Sequence, residues 1–122
     1  PFVPLDRKEA AAMTRDLFDR CIAACNACAL ACERCATACL REQDCASMRT
    51  CIALDLDCAS ACRFAAALMG RDSVHAAQAC RLCADICSAC AGECEKHPHA
   101  HCQACAAACR DCAQECRAMA AG

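Results

Sequence analysis

The chain has no tryptophan, no tyrosine and only three phenylalanines in 122 residues. Large aliphatic side chains are also few, because the 59% hydrophobic fraction is mostly alanine and cysteine. At about 25 cal/mol per Å² of apolar surface removed from water, such a core gains little per residue. Something other than hydrophobic burial is therefore expected to help hold the working form together. Positive and negative charges nearly cancel (13 Lys+Arg against 15 Asp+Glu) and no basic run occurs, which argues against a nucleic-acid surface. No apolar stretch approaches the roughly 18 residues needed to cross a membrane. No secretion signal is recognisable, and the first residue is Pro1 rather than Met, which leaves room for residues trimmed ahead of it. The location expected is the cytoplasm. No Ser/His/Asp set, phosphate loop or paired-acid site appears, so the chain does not read as an enzyme.

What is abundant is cysteine, with twenty residues, far above the level that already marks a specialised scaffold. Cys21, Cys25, Cys28, Cys32, Cys35 and Cys39 are spaced 4-3-4-3-4. Cys80, Cys83, Cys87, Cys90 and Cys94 keep the same rhythm, as do Cys102, Cys105, Cys109, Cys112 and Cys116. That is the period of a helix seam, with thiols where a bundle normally carries Leu or Ile. At about 100° per residue, the first set falls within an arc of roughly 80°.

Glycine and proline number three each and are placed to separate helices. Asp6, with Glu9 three residues on, reads as an N-cap with a capping-box partner. The first helix is expected to run from there to about residue 41. A second spans about 44–69, with Gly70 at C′. A third is capped by Asp72 or Ser73 and runs to about residue 96, before Pro98 stops it. A fourth spans about 99–120. Short connections make neighbours antiparallel, giving an all-α, up-down-up-down four-helix bundle with a Cys-lined core, one domain over 1–122. The first helix is too long for its partners, so residues 1–16 are an overhang, a short extra helix or a contact to another subunit. One end collects Cys39, Cys45, Met48, His97, His99 and His101. The other collects Met13, Leu17, Phe18, Phe64, Leu68, Met69, Val74 and Met119 and reads as an apolar plug.

A sulfur-lined tube is suited to soft metal ions. Cβ atoms at i,i+3 or i,i+4 lie about 5–6 Å apart, too far for most local disulfides, which need about 3.5–4.5 Å. Zinc and iron–sulfur centres want four ligands around one point, usually from turns, whereas these pairs interlock within helices. Stacked Zn(Cys)₄ sites would also bury much negative charge. Cu(I) is monovalent, soft and satisfied by two or three thiolates. Bridging thiolates then bring the ratio toward one copper per cysteine. A single buried cysteine is usually a small hydrophobe; sixteen at heptad spacing on three helices are not. A ferredoxin-like iron–sulfur carrier, a zinc protein and a thiol redox sensor remain the alternatives.

On the second helix, Cys51, Cys58 and Cys62 share a face that Cys45 does not, and Met48, Asp55 and Met69 project on that same face. Met48 and Met69 are both candidate thioether ligands; Met48 lies near the expected mouth, while Met69 reads first as core filler. Asp55 faces inward and is expected to accept a hydrogen bond from a thiol, backbone or water. One reading makes it a proton acceptor when a thiol binds metal; the preferred reading is that a tilted helix leaves it wet. His97 continues the third seam one step past Cys94 and reads equally as a ligand or as a solvated residue beside a proline turn. His101 sits at the margin of its helix face; His99 and His75 read as surface residues.

The segments C-I-A-A-C-N-A-C at 21–28, C-I-A-L-D-L-D-C-A-S-A-C at 51–62, C-A-D-I-C-S-A-C at 83–90 and K-H-P-H-A-H-C-Q-A-C at 96–105 resemble the copper storage protein family. The likeness covers nearly all the chain from Cys21 onward, and the thiol count and His-rich third loop resemble its cytosolic branch. The resemblance implies many Cu(I) ions stored along the bundle axis and assembly into a homotetramer. It also makes His101 and Met48 mouth ligands. Together with His97, the twenty cysteines and these two residues form the expected ligand set.

Overall fold

The structure is a computed structural model that describes residues 2–121. Pro1 and Gly122, the ends of the expected domain, lie outside the described residues. Four helices form in the expected order: α1 (Arg7–Leu40), α2 (Arg49–Gly70), α3 (Ala76–Cys94) and α4 (Ala100–Ala121). Helix α1 packs on α2 and α4, and α3 packs on the same two, so the helices close into a ring. No strand occurs among the described residues.

Local chemistry sets the boundaries. The Asp6 carboxylate accepts the Glu9 backbone N–H at 2.7 Å and satisfies one of the donors left free at the start of α1. The connection from α1 is short, and a single 3₁₀ turn (Cys45–Met48) precedes α2 rather than the helix running from residue 44. In that turn Ser47 Oγ donates to the Asp44 carbonyl at 2.7 Å. The end of α2 differs from expectation. Gly70 stays inside the last turn, and Asp72 is the residue with positive φ, at 54°. The Ser73 N–H reaches the Leu68 carbonyl (3.0 Å) and the Asp72 N–H reaches Met69 (3.2 Å). This is a Schellman closure with an aspartate in the left-handed position, which Asp tolerates better than most residues. Arg15 of α1 holds the Asp72 carboxylate. Because residues 71–75 are used in this way, neither Asp72 nor Ser73 caps α3. Ser73 Oγ instead accepts the His75 N–H at 3.1 Å, one residue ahead of α3.

Residues 7–16 are the continuous opening turns of α1 and stand mostly exposed. The plugged end is smaller than its residue list. Met69 and Leu68 are buried and Phe18 and Met119 pack against the core, whereas Phe64 (56% exposed), Val74 (90%), Met13 and Leu17 face outward. Ion pairs flank the helix seams: Arg63 with Glu33 between α2 and α1, Arg20 with Glu115 at 3.4 Å between α1 and α4, and Arg110 with Glu95 at 2.7 Å. Exposed pairs of this kind contribute about 0–1 kcal/mol each. The stability of the ring therefore rests on its interior.

Candidate metal centre

That interior is almost entirely sulfur. All twenty cysteines are free, and every one except Cys45 is buried. Their Sγ atoms form a column along the bundle. Cys39 and Cys35 meet Cys102 at 3.9 and 3.8 Å. Deeper in, Cys105 meets Cys32 at 3.6 Å, Cys32 meets Cys109 at 3.7 Å, and Cys28 meets Cys109 and Cys58 at 3.6 and 3.7 Å. Next come Cys58 with Cys87 at 3.5 Å, Cys62 with Cys87 and Cys83 at 3.7 Å, and Cys62 with Cys112 at 3.8 Å. Cys112 meets Cys25 at 3.7 Å, and Cys116 meets Cys21 at 3.6 Å. On the other flank Cys51 lies 3.5 Å from Cys94. These are non-bonded separations, well beyond the ~2.05 Å of a disulfide. The heptad spacing produces the column directly, because residues four and three apart share the inward stripe of each helix.

Helix α2 carries the same rhythm with three substitutions: Cys51, Asp55, Cys58, Cys62, Ala65 and Met69, all buried. Asp55 is not left wet. It is fully buried, and its Oδ1 accepts S–H bonds from Cys90 (3.2 Å), Cys105 (3.3 Å) and Cys94 (3.5 Å). A tilt that would have exposed it is prevented because small Ala and Cys side chains let the helices close tightly. Burial, with the neighbouring Cys105 and Cys90, pushes the Asp55 carboxyl up to about 9, so it is protonated at neutral pH. Burial likewise raises the Cys102 thiol to about 11 and drives Cys51 upward.

At the His-rich end the histidines separate in role. His101 Nδ1 lies 3.5 Å from Cys102, 3.6 Å from Cys35 and 3.9 Å from Cys39. Its Nε2 is 3.0 Å from Glu42 Oε1. A carboxylate at Nε2 keeps the proton there and leaves the Nδ1 lone pair facing the thiols, the usual support for a metal-binding imidazole. Glu42 was not singled out in the sequence; its only signal was a place in the first loop, opposite the third. His97 is turned away: its Nε2 pairs with Glu93 at 2.8 Å, which holds the Glu93 carboxyl below its usual range. His99 belongs to the mouth rather than to the open surface. Its ring centroid is 5.3 Å from that of His101, its Nε2 lies 3.6 Å from Glu42, and its Nδ1 is buried without a hydrogen-bond partner. Met48 is buried at this end, while Cys45 is exposed on the 3₁₀ turn, outside the thiol column. His75 is exposed, as expected.

Compact donor sets recur down the column and share members. Cys28, Cys32, Cys58 and Cys109 form one; Cys28, Cys62, Cys87 and Cys112 form the next; Cys32, Cys90, Cys105 and Cys109 another. Cys35, Cys39, Cys102 and His101 make a set at the mouth. Cys25, Cys83, Cys112 and Cys116 make a further set that shares no member with the first or with the mouth set, while the other two sets compete with these for the same sulfurs. An array of ions bridged by shared thiolates accommodates all of these overlaps.

Known proteins with related chains bear on this geometry. The family model described as copper storage protein matches residues 14–121. The uncharacterized cysteine-rich protein YhjQ of Bacillus subtilis is 50% identical over 103 residues, covering 84% of this chain and 95% of that protein. The Cu(I)-bound copper storage protein BsCsp3 is 49% identical, with a TM-score of 0.82, over 85% of this chain and 98% of its own. A cytosolic copper storage protein from Streptomyces lividans, with five coppers loaded, is 40% identical, with a TM-score of 0.88, over 91% and 98%.

Proposed function

This chain belongs to the copper storage protein family, and on that premise we propose that its sulfur column is a cytoplasmic reservoir for many Cu(I) ions. The observation that carries this reading is the overlap of donor sets along one axis. The nineteen buried cysteines supply the thiolates, and His101 supplies a nitrogen where the column opens. Met48, buried near that end, would add a thioether, whereas Cys45 is exposed and His97 pairs with Glu93, so both are left out of the core set. The reading includes no catalytic step. The family resemblance also supports a homotetramer, for which the exposed Phe64, Leu56 and Leu82 offer apolar surface.

The chemistry is an exchange of one monovalent cation for another. Each thiol that takes copper releases its proton, so a column filled at one Cu(I) per thiolate carries the same net charge as the column of thiols. Net charge buried in a low-dielectric interior is costly, and a divalent ion on four thiolates would leave two negative charges at every site. Soft thiolates prefer Cu(I) over harder ions. Proton release makes the apparent affinity rise with pH. Native mass spectrometry of the reduced chain after anaerobic exposure to excess Cu(I) or Zn(II) tests the reading. The expected result is copper near one ion per buried thiol, and zinc at no more than about one per four thiols. Equal, low uptake of both would contradict it. Sedimentation of the loaded protein as a monomer would refute the tetramer.

A further inference from the structure

Helix α2 has the same six-position seam as α1, and its last position is Met69. Met69 is fully buried, and its Sδ, not merely its hydrocarbon, faces the column: the Cys80 S–H donates to it at 3.6 Å. That separation matches those between neighbouring thiols, which run from 3.5 to 4.0 Å. Beyond Met69 the surroundings are hydrocarbon, with Leu68, Phe18, Met119 and Ala76 at this end. Cys80 is therefore the outermost α3 thiol, with Met69 on its outer side and the Cys21–Cys116 pair among its neighbours on the column side.

We propose that Met69 is a terminal Cu(I) ligand, sharing with Cys80 an ion that closes the buried end of the column. The inference rests on the storage reading above. A thioether is a soft donor suited to Cu(I), and it is neutral. One Cu(I) held by one thiolate and one thioether adds no net charge, which matters at a fully buried place where the run of thiolates stops. A leucine would fill the same space equally well, so the orientation of the sulfur is the distinguishing feature. Met69 extends the copper-binding set beyond cysteine at the end remote from His101.

The test uses the full-length, reduced chain and its Met69→Leu variant, both titrated anaerobically with Cu(I) against a competing chelator. Selenium-edge X-ray absorption is then recorded on selenomethionine-labelled, copper-loaded samples of each. The expected result is a variant with the wild-type circular dichroism that loses one equivalent, or releases its last equivalent at about tenfold lower chelator, no less than the loss of a supporting group causes. A copper neighbour on selenium should be present in the wild type and diminished in the variant. Wild-type protein that loads fully, with an unchanged variant titration and the same selenium spectrum in both, overturns the Met69 assignment and leaves storage intact. Wild-type protein that saturates at a few equivalents overturns storage and this inference together.

Discussion

The two ends of the sulfur column terminate in opposite ways. At one end Cys35, Cys39 and Cys102 meet His101, which is backed by Glu42 and neighboured by His99 and Asp44. At the other, Cys80 meets Met69 beneath Leu68 and Phe18. The first end offers a nitrogen donor and carboxylates that can accept protons as thiols lose them. At the second, Cys80 and Met69 are both fully buried and the donor beside the thiol is a neutral thioether. On the proposed reading the same row of thiols has a direction: ions would enter and leave beside His101, and the far end would be a stop.

The largest expected effect comes from removing the column that both ends serve. Replacing Cys28, Cys32, Cys58 and Cys109 with serine deletes a complete donor set in the middle. Copper capacity, read by native mass spectrometry, should fall by about four equivalents, because hard hydroxyls bind Cu(I) poorly; an unchanged capacity would remove the reason to distinguish the ends. A second change bears on direction. His101→Ala should slow anaerobic loading about tenfold or more in stopped-flow traces while leaving final capacity nearly intact, and Glu42→Gln should act in the same sense but less. Equal slowing by a substitution at Met69 would abolish the asymmetry.

Asp55, between the ends, gives a pH signature. Its folded carboxyl titrates near 9 against an ordinary value of 3.8. A group raised on folding contributes fully below the unfolded value, and the contribution is lost as pH rises toward the folded one. Over this window the folded form holds about one more proton than the unfolded form. The metal-free protein should therefore lose about 1.4 kcal/mol per pH unit, or about 2–3 kcal/mol between pH 5 and 7. Chemical denaturation should show this loss, and Asp55→Asn should flatten it. The smallest effect is expected outside: Glu33→Gln, which breaks the exposed pair with Arg63, should cost less than about 1 kcal/mol.

Much of this architecture is legible in residue spacing. The 4-3 rhythm of Cys21–Cys39 determines both that a helix forms and which stripe faces inward, because both follow from the same 3.6-residue period. Asp6 with Glu9 marks the start of α1 because a cap is a local interaction. What could not be read depends on contacts between segments distant in sequence. Asp55 looks like a wet carboxylate until Cys90, Cys94 and Cys105 arrive from α3 and α4. His97 sits in register with the α3 seam, yet Glu93 one turn earlier captures its ring. Glu42 gains a role only because the first and third loops meet. Gly70 looked like the natural left-handed residue, but the Schellman closure falls two residues later, at Asp72, where Arg15 of α1 binds the carboxylate. Cys45 belongs to the cysteine count but not to the rhythm, and rhythm rather than residue type selects the column.

The most direct measurement is an anaerobic titration of the fully reduced chain with Cu(I) in the presence of a competing chelator, followed to saturation. Continuous sharing of thiolates along one axis predicts uptake close to one Cu(I) per buried cysteine, with Cys45→Ser leaving that number unchanged. Saturation after only a few ions, with most thiols still open to alkylation, would contradict it.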